Sequence, residues 1–426
     1  MGKPTVLFTA VASELHLGRA EETSSKAFKA LGRQDIELLG SPRPFTSAKE
    51  LEEALRAQAD LKVVFVASGG TSRILSRALG GLKVFLWAHP HDNSLPSALS
   101  AREKMRSSGS WVGEIAFSSP DQVPKEVLAE IKVLKALTAL SNMKVLAFCS
   151  SEKAEELEGA LAQVLGPWRP RLKRLEPDEL VGAVEGKRRV RSISEALSIM
   201  PGLSCEEPTP EVEEGFVKSI ELALYIEDEL LSGSQGAVIT FDCFDLLGRL
   251  GMTPCVIVGL LLEHGITAVC EADPGALILM AVCHLLTGQA PWMANLAGFD
   301  LASGTILLAH CTACPSLSSA WPYRGQFLEH FESGKPVALD VWLRRGPAVL
   351  ANLQVWRRKL ILARGFVEDS GMGEEGLCRT QALVRLDGDL RAFLAETGNH
   401  HVLTYSDIYD ELARLGRRLG LEVVVP

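Results

Sequence analysis

Nowhere does the sequence carry a long hydrophobic run. Its longest apolar stretches, around 256–262 and 276–286, fall well short of the ~20 residues that a membrane-spanning helix requires, so no membrane partner is expected. The apolar start at 4–12 is too short for an export-signal core, and Val6 stands where a myristoylation signal needs Ser or Thr. Positive charge is not in excess either. The chain has 44 Lys and Arg against 53 Asp and Glu, a formal net charge of -9. That leaves no electrostatic footprint for nucleic acid or for an anionic lipid surface. Gly and Pro follow no period and no heptad is sustained, which excludes collagen-like and coiled-coil architectures. What is present is ordinary for a globular protein: 426 residues, 47% hydrophobic and 23% charged. At ~100–200 residues per domain, that length predicts two to four domains. Nine cysteines without an export signal predict reduced thiols and a cytoplasmic location.

The first third alternates short apolar runs with helical periodicity. Strands are expected over 5–9, 62–67 and 83–87 and a helix over 21–31, the pattern of a parallel sheet with crossover helices. The cycle restarts with a strand at 144–149 and an amphipathic helix at 152–165, so a boundary is placed near 140. A helix over 211–231, strands over 237–241 and 266–270, and helices over 256–263 and 275–286 follow. The last third changes character. Short runs at 305–309, 336–343, 359–366 and 379–386, separated by turns, suit an antiparallel β-rich region. The chain is expected to close with a strand at 402–405, a helix at 407–419 and a strand at 422–425.

Ionisable residues gather where these strands end. Asp242 and Asp245 follow one strand, Glu271 and Asp273 the next, and His310 a third, while His400 and His401 precede a fourth. Ligand sites of open α/β sheets form at strand carboxyl ends. Acids and imidazoles brought together there would make a mixed oxygen and nitrogen site, better suited to Mn²⁺ or Mg²⁺ than to structural zinc. Each piece also has a plain structural reading. Asp242, Asp245, Glu271 or Asp273 could cap a helix, His310 could be a hydrogen-bonded core residue, and the histidine pair could be a solvated loop. The joint pattern in a chain with only nine histidines favours a site.

Other motifs are weaker. Cys311 and Cys314 have C-x-x-C spacing, but no second Cys or His pair completes a zinc pattern, and a redox role would need the motif to open a helix. The run from Ser68 to Ser72 reads as a tight turn rather than an anion cradle. Lys187, Arg188, Arg189 and Arg191 form a basic cluster, expected at a solvated edge. His89 and His91 lie in a loop after a strand; His16, His264, His284 and His330 show no constellation.

Four segments together resemble the L-fucose isomerase and L-arabinose isomerase superfamily. Thr240-Phe241-Asp242-Cys243-Phe244-Asp245-Leu246 is similar to the segment bearing the family's first catalytic acid, with Asp in place of Glu. Cys270-Glu271-Ala272-Asp273 resembles the Glu-x-Asp segment that carries the second. The segment from Thr305 to His310, with Cys314-Pro315-Ser316, looks like the arabinose-type Ala-His segment and its nearby Cys-Pro-Ser. Gly398-Asn399-His400-His401-Val402 is similar to the C-terminal His segment, with His400 fitting the fucose type and His401 the arabinose type. The likeness covers about 235–426.

The resemblance implies an α/β fold of two Rossmann-like parallel-sheet domains, here 1–140 and 141–265, and a β-rich C-terminal domain, 266–426. It implies a metal-dependent aldose–ketose isomerase that moves a proton through an enediol of a free or modified monosaccharide. The catalytic acids would come from Asp242, Asp245, Glu271 and Asp273. The metal, Mn²⁺ or another divalent ion such as Mg²⁺ or Co²⁺, would be held among Asp245, Glu271, Asp273, His310, His400 and His401. Family members are usually trimers or hexamers, so a homotrimer or homohexamer is expected, and His89, His91 and Asn93 could then reach a partner's site. The chemistry itself asks for such a set: a carboxylate near one carbon, an acid near the adjacent oxygen, and a cation beside the developing charge. Rival readings are an isomerase for a sulfonated sugar, with cations among 187–191, Arg324 and Arg344, a non-catalytic sugar-binding or regulatory protein on the same fold, and a thiol redox protein.

Overall fold

The computed structural model describes residues 2–186, 189–204, 208–231, 236–318 and 325–426. Two compact units form, Met1–Thr138 and Ala139–Pro426. The first is built on strands β1 Thr5–Val11, β2 Glu37–Phe45, β3 Leu61–Val66, β4 Phe85–Ala88 and β5 Glu114–Phe117, all parallel in the order β2-β1-β3-β4-β5. The run Leu-Lys-Val-Val-Phe-Val of β3 is buried almost throughout, as expected for a strand covered by helices on both faces. β2 was not anticipated. Its sequence holds Gly40, Pro42 and Pro44, residues disfavoured in strands but tolerated at a sheet edge, and β2 is the edge strand.

The second unit contains β6 Lys144–Phe148, β7 Arg171–Leu175, β8 Leu203–Ser204, β9 Ala237–Phe241 and β10 Thr267–Val269, then β11 Trp292–Asp300 and β12 Thr305–His310. β13 Gly325–Glu329, β14 Pro336–Val341, β15 Gly346–Gln354, β16 Lys359–Ser370, β17 Thr380–Leu386, β18 His400–Thr404 and β19 Glu422–Val424 complete it. A parallel sheet runs β10-β9-β6-β7. Phe148 and Phe241 stack on it with ring centroids 5.3 Å apart. The expected break at 265 falls inside this sheet. β10 pairs in parallel with β9, Thr267 opposite Val238, because the apolar helix Cys255–Glu263 is the crossover between them. The β-rich part therefore starts at β11 rather than at 266.

That part is an antiparallel ring. The order β15-β18-β11-β12-β17-β16 is closed by direct pairing of β15 with β16, and β19 joins β16 in parallel. Closure leaves few open edges. β11 and β15 escaped the sequence reading, since Ala, Asn and Gly interrupt their apolar alternation. A smaller sheet, β14-β13-β8, packs in the same unit. Phe216, on the helix Pro210–Tyr225, stacks against Phe327 of that sheet at 4.2 Å. Among the described residues no single helix is long and apolar enough to cross a membrane.

Candidate acid–imidazole site

Glu271 leaves the end of β10 in an uncommon backbone conformation. Glu271 and Ala272 have φ of 60° and 46°, a region that residues with a Cβ enter only when their surroundings hold them there. The surroundings do so. The Ala272 N–H donates to the Phe241 carbonyl at 2.8 Å, and the Glu271 N–H donates to Cys243 Sγ at 3.2 Å. Cys243 and Cys270 are joined as a disulfide with Cα atoms 6.3 Å apart. That corrects the expectation of uniformly reduced thiols: the two cysteines end one strand and begin the helix after its neighbour, so parallel pairing sets them face to face. Asp273 then caps the helix Pro274–Thr287, its Oδ1 accepting the Ala276 N–H at 2.6 Å. Gly275 lets that helix start against β15, where a Cβ would stand 2.3 Å from the Leu353 carbonyl oxygen.

The histidines arrive from the antiparallel ring. β11 lies between β12 and β18, and Asn295 of β11 is opposite both Ala309 and His400. The register therefore brings the end of β12, with His310, and the start of β18, with His400, to one corner. Successive side chains of a strand point to opposite faces, so only one member of the His400–His401 pair can serve that corner. It is His400. His401 is fully buried on the other face, where its Nε2 meets Thr397 Oγ1 at 2.7 Å and its Nδ1 the Asn399 carbonyl at 2.8 Å. Burial lowers the His401 pKa to about 4, which keeps the ring neutral. Asn352, which no sequence pattern singled out, fixes the approach to His400. Its Nδ2 donates to the His400 carbonyl at 2.6 Å and its Oδ1 accepts the Gly398 N–H at 2.9 Å.

At the corner, Glu271 Oε1 is 3.5 Å from His310 Nε2 and Oε2 is 3.3 Å from His400 Nε2. One ligand atom from each of Glu271, His310 and His400 lies within 4.8 Å of the other two. His400 Nδ1 is held by Asp273 Oδ2 at 3.1 Å, and His310 Nδ1 by Thr312 Oγ1 at 3.0 Å. Both rings are thus oriented from behind, and their Nε2 atoms face Glu271. His400 Nε2 is buried and has no aligned hydrogen bond among the described residues. A buried nitrogen left without a bond is costly. Two imidazole nitrogens and a carboxylate converging on one point, with a carboxylate behind one ring, form a donor set that fits a divalent cation. Burial disfavours charge on Glu271, yet the proximity of His310 and His400 outweighs it and holds the carboxyl well below its usual range. Burial also opposes charge on His400, but Asp273 and Glu271 raise its pKa to about 9.

The other residues proposed from the sequence lie elsewhere. Asp242 sits at the end of β9, its backbone N–H donating to the Phe148 carbonyl at 2.9 Å, and stands at the N-terminus of the helix Cys243–Leu250. Asp245 lies within the first turn of that helix and pairs with Arg249 at 3.3 Å; Arg249 also binds Asp178 at 3.0 Å. Helical geometry, not read from the sequence at 243–250, turns Asp245 toward Arg249. Asp273 touches His400 rather than joining the three converging ligands. Cys314 faces Ser316 at 3.3 Å while Cys311 meets Cys255 and Cys378, so the C-x-x-C spacing does not make a pair. His89 is buried, stacked on Phe65 at 5.3 Å with its Nε2 3.2 Å from the Ala67 carbonyl oxygen. Arg189 is taken up by Asp228 and Glu229, and Arg344 stacks over Tyr405 at 4.0 Å. Lys187, Arg188 and Arg324 lie outside the described residues.

No protein-family model matches the chain. Two curated proteins do: the sulfoquinovose isomerases of Priestia aryabhattai and Priestia megaterium. Each is 24% identical over 330 residues, covering 72% of this chain and 70% of the relative. Both relatives are sugar isomerases, and the likeness supports an isomerase enzyme here.

Proposed function

We propose that the chain is an aldose–ketose isomerase whose substrate is a sulfonated hexose of the sulfoquinovose type, with Glu271, His310 and His400 at its centre. The observation that carries this reading is the meeting of those three side chains, from three separate strand ends, with ligand atoms within 4.8 Å of one another. The similarity to sulfoquinovose isomerases supports a sulfonated sugar as the substrate class. Glu271, His310 and His400 would hold a divalent cation, for which the oxygen and nitrogen donors suit Mn²⁺. Such an ion supplies several kcal/mol of stabilisation to charge developing on the sugar oxygens.

The chain's own groups handle orientation and protons. Asp273 and Thr312 fix the two imidazoles through their Nδ1 atoms. Glu271, ionised at neutral pH, moves a proton at its carboxylate oxygens. The second acid is Asp242 rather than Asp245. Asp242 follows Phe241, whose carbonyl anchors the loop carrying Glu271, whereas Asp245 is engaged by Arg249.

The test is direct. The protein is stripped with a chelator, reloaded with Mn²⁺, and incubated in D₂O with sulfoquinovose and, in parallel, with unsulfonated aldoses. Ketose formation with deuterium entering at C2, dependent on the metal, is the expected result. Conversion of unsulfonated sugars alone would remove the sulfonated substrate. Absence of exchange with every sugar would remove the isomerase reading.

A further inference from the structure

A second cluster, made of sulfur instead of oxygen, adjoins the first through the His310–Cys311 bond. Cys255 opens the helix Cys255–Glu263 and Cys311 follows β12. His330 follows β13, and Cys378 precedes β17. One ligand atom from each of Cys255, Cys311 and His330 lies within 4.8 Å of the other two. Cys378 packs against Cys255 and Cys311. Cys255 and Cys311 are 3% and 1% exposed.

A buried cysteine is ordinarily a small hydrophobe, and one or two would need no comment. Two thiols and an imidazole meeting at one point, with a third thiol packed against them, are different, because an imidazole ordinarily finds oxygen or water rather than sulfur as its neighbour. The supporting contacts are those of a ligand set. His330 Nδ1 is held by Ser333 Oγ at 3.2 Å, which presents Nε2. The hairpin behind it is closed by the His330 N–H to the Lys335 carbonyl and the Gly334 N–H to the His330 carbonyl, both at 2.8 Å. The Arg379 N–H donates to Cys311 Sγ at 3.4 Å.

We propose that Cys255, Cys311 and His330, joined by the adjoining Cys378 as fourth ligand, bind one structural Zn²⁺ in a Cys₃His site whose ligands differ from those of the acid–imidazole site. Three thiolates and one imidazole satisfy a tetrahedral zinc ion completely, and binding expels the thiol protons to solvent. The site would tie together four separate segments of the second unit. Cys311 directly follows His310, so a zinc anchor there also fixes the strand end that presents His310.

The full chain, purified under reducing conditions and passed over a chelating resin, is assayed for zinc. About one zinc per chain is expected to remain and to be released by a mercurial that titrates thiols, as read by a chromogenic chelator. Replacement by Co²⁺ should give an intense sulfur-to-cobalt charge-transfer band with the visible bands of tetrahedral cobalt. Cys255→Ser or Cys378→Ser should weaken that band, and Glu271→Gln should leave it intact. The proposal is overturned if reduced, folded wild-type protein shows no thiolate–cobalt band. It is equally overturned if the retained zinc disappears in Glu271→Gln but resists the mercurial, or if peptide mapping finds Cys311 and Cys378 joined as a disulfide. The wild-type cobalt and mercurial readouts decide the matter even where a Ser variant does not fold.

Discussion

The two corners on either side of the His310–Cys311 bond use the same tactic with opposite chemistry. In the first, Glu271, His310 and His400 offer hard oxygen and borderline nitrogen donors, and Glu271 keeps a third of its side-chain surface exposed. In the second, Cys255, Cys311 and His330 offer soft sulfur and nitrogen, with both of these thiols buried. Donor softness separates the metals each would take, and exposure separates their uses. A ligand set with an exposed carboxylate leaves room for a substrate, whereas thiols held in the core suit a structural role. Adjacent residues of one strand end feed both corners because consecutive side chains leave it on opposite sides.

The contrast breaks most sharply at Glu271. Glu271→Gln keeps the shape and removes the charge, and turnover should fall by roughly 10²–10⁴, the range for a lost acid–base group. Circular dichroism and thermal melting should stay near wild type. Unaltered turnover would remove Glu271 from the chemistry.

The neighbouring histidines sharpen the division between site and core. His401→Ala deletes a buried ring with two hydrogen bonds, so urea denaturation should show a loss of about 2–4 kcal/mol. His400→Ala should cost less stability yet abolish Mn²⁺ binding, as followed by electron paramagnetic resonance. Equal stability losses with equal metal affinities would erase the distinction drawn between the two faces of β18.

Asp273→Asn tests support from behind the ring. It keeps the helix cap, but weakens the hold on His400 Nδ1. Metal affinity should drop about 10–100-fold, measured by calorimetry, while the cobalt–thiolate signature stays unchanged. At Asp245 the expected effect is smallest. Its partner Arg249 is exposed, and an exposed pair of this kind contributes about 0–1 kcal/mol, so Asp245→Asn should leave turnover within about threefold of wild type, while Asp242→Asn reduces it well beyond that.

Acid and alkali act on the two histidines in opposite senses. In chelated protein His400 has a raised pKa of about 9. Its contribution to stability is complete below the unfolded value near 6.5 and is lost as pH rises through about 9. His401 is depressed to about 4. Its contribution is complete above about 6.5 and is lost progressively as pH falls toward 4. Stability-versus-pH curves for His400→Gln and His401→Gln, each subtracted from wild type, should slope in opposite directions; parallel curves would contradict the assignment.

Much of this was legible in the chain itself. The apolar runs at 62–67, 144–149 and 237–241 emerge as β3, β6 and β9, since parallel strands buried on both faces must be continuously apolar. The polar residues at their ends were visible for the same reason, as abrupt breaks in hydrophobicity. Edge and ring strands were not: β2 tolerates proline because one side lacks a partner, and β15 takes its identity from pairing with β16 and β18. The choice between His400 and His401 also lay beyond reach, because a one-residue shift in register exchanges the two faces of a strand and the register is set by contacts with β11.

Residue order alone established that this is an α/β chain with a β-rich end and that its acids and imidazoles crowd strand termini, because periodicity and burial are local properties. Tertiary structure alone decided that Glu271 meets His310 and His400, and that Cys255, Cys311 and His330 meet with Cys378 packed against the thiols. Those encounters join residues tens of positions apart, and only the pairing of whole strands brings them within ångströms.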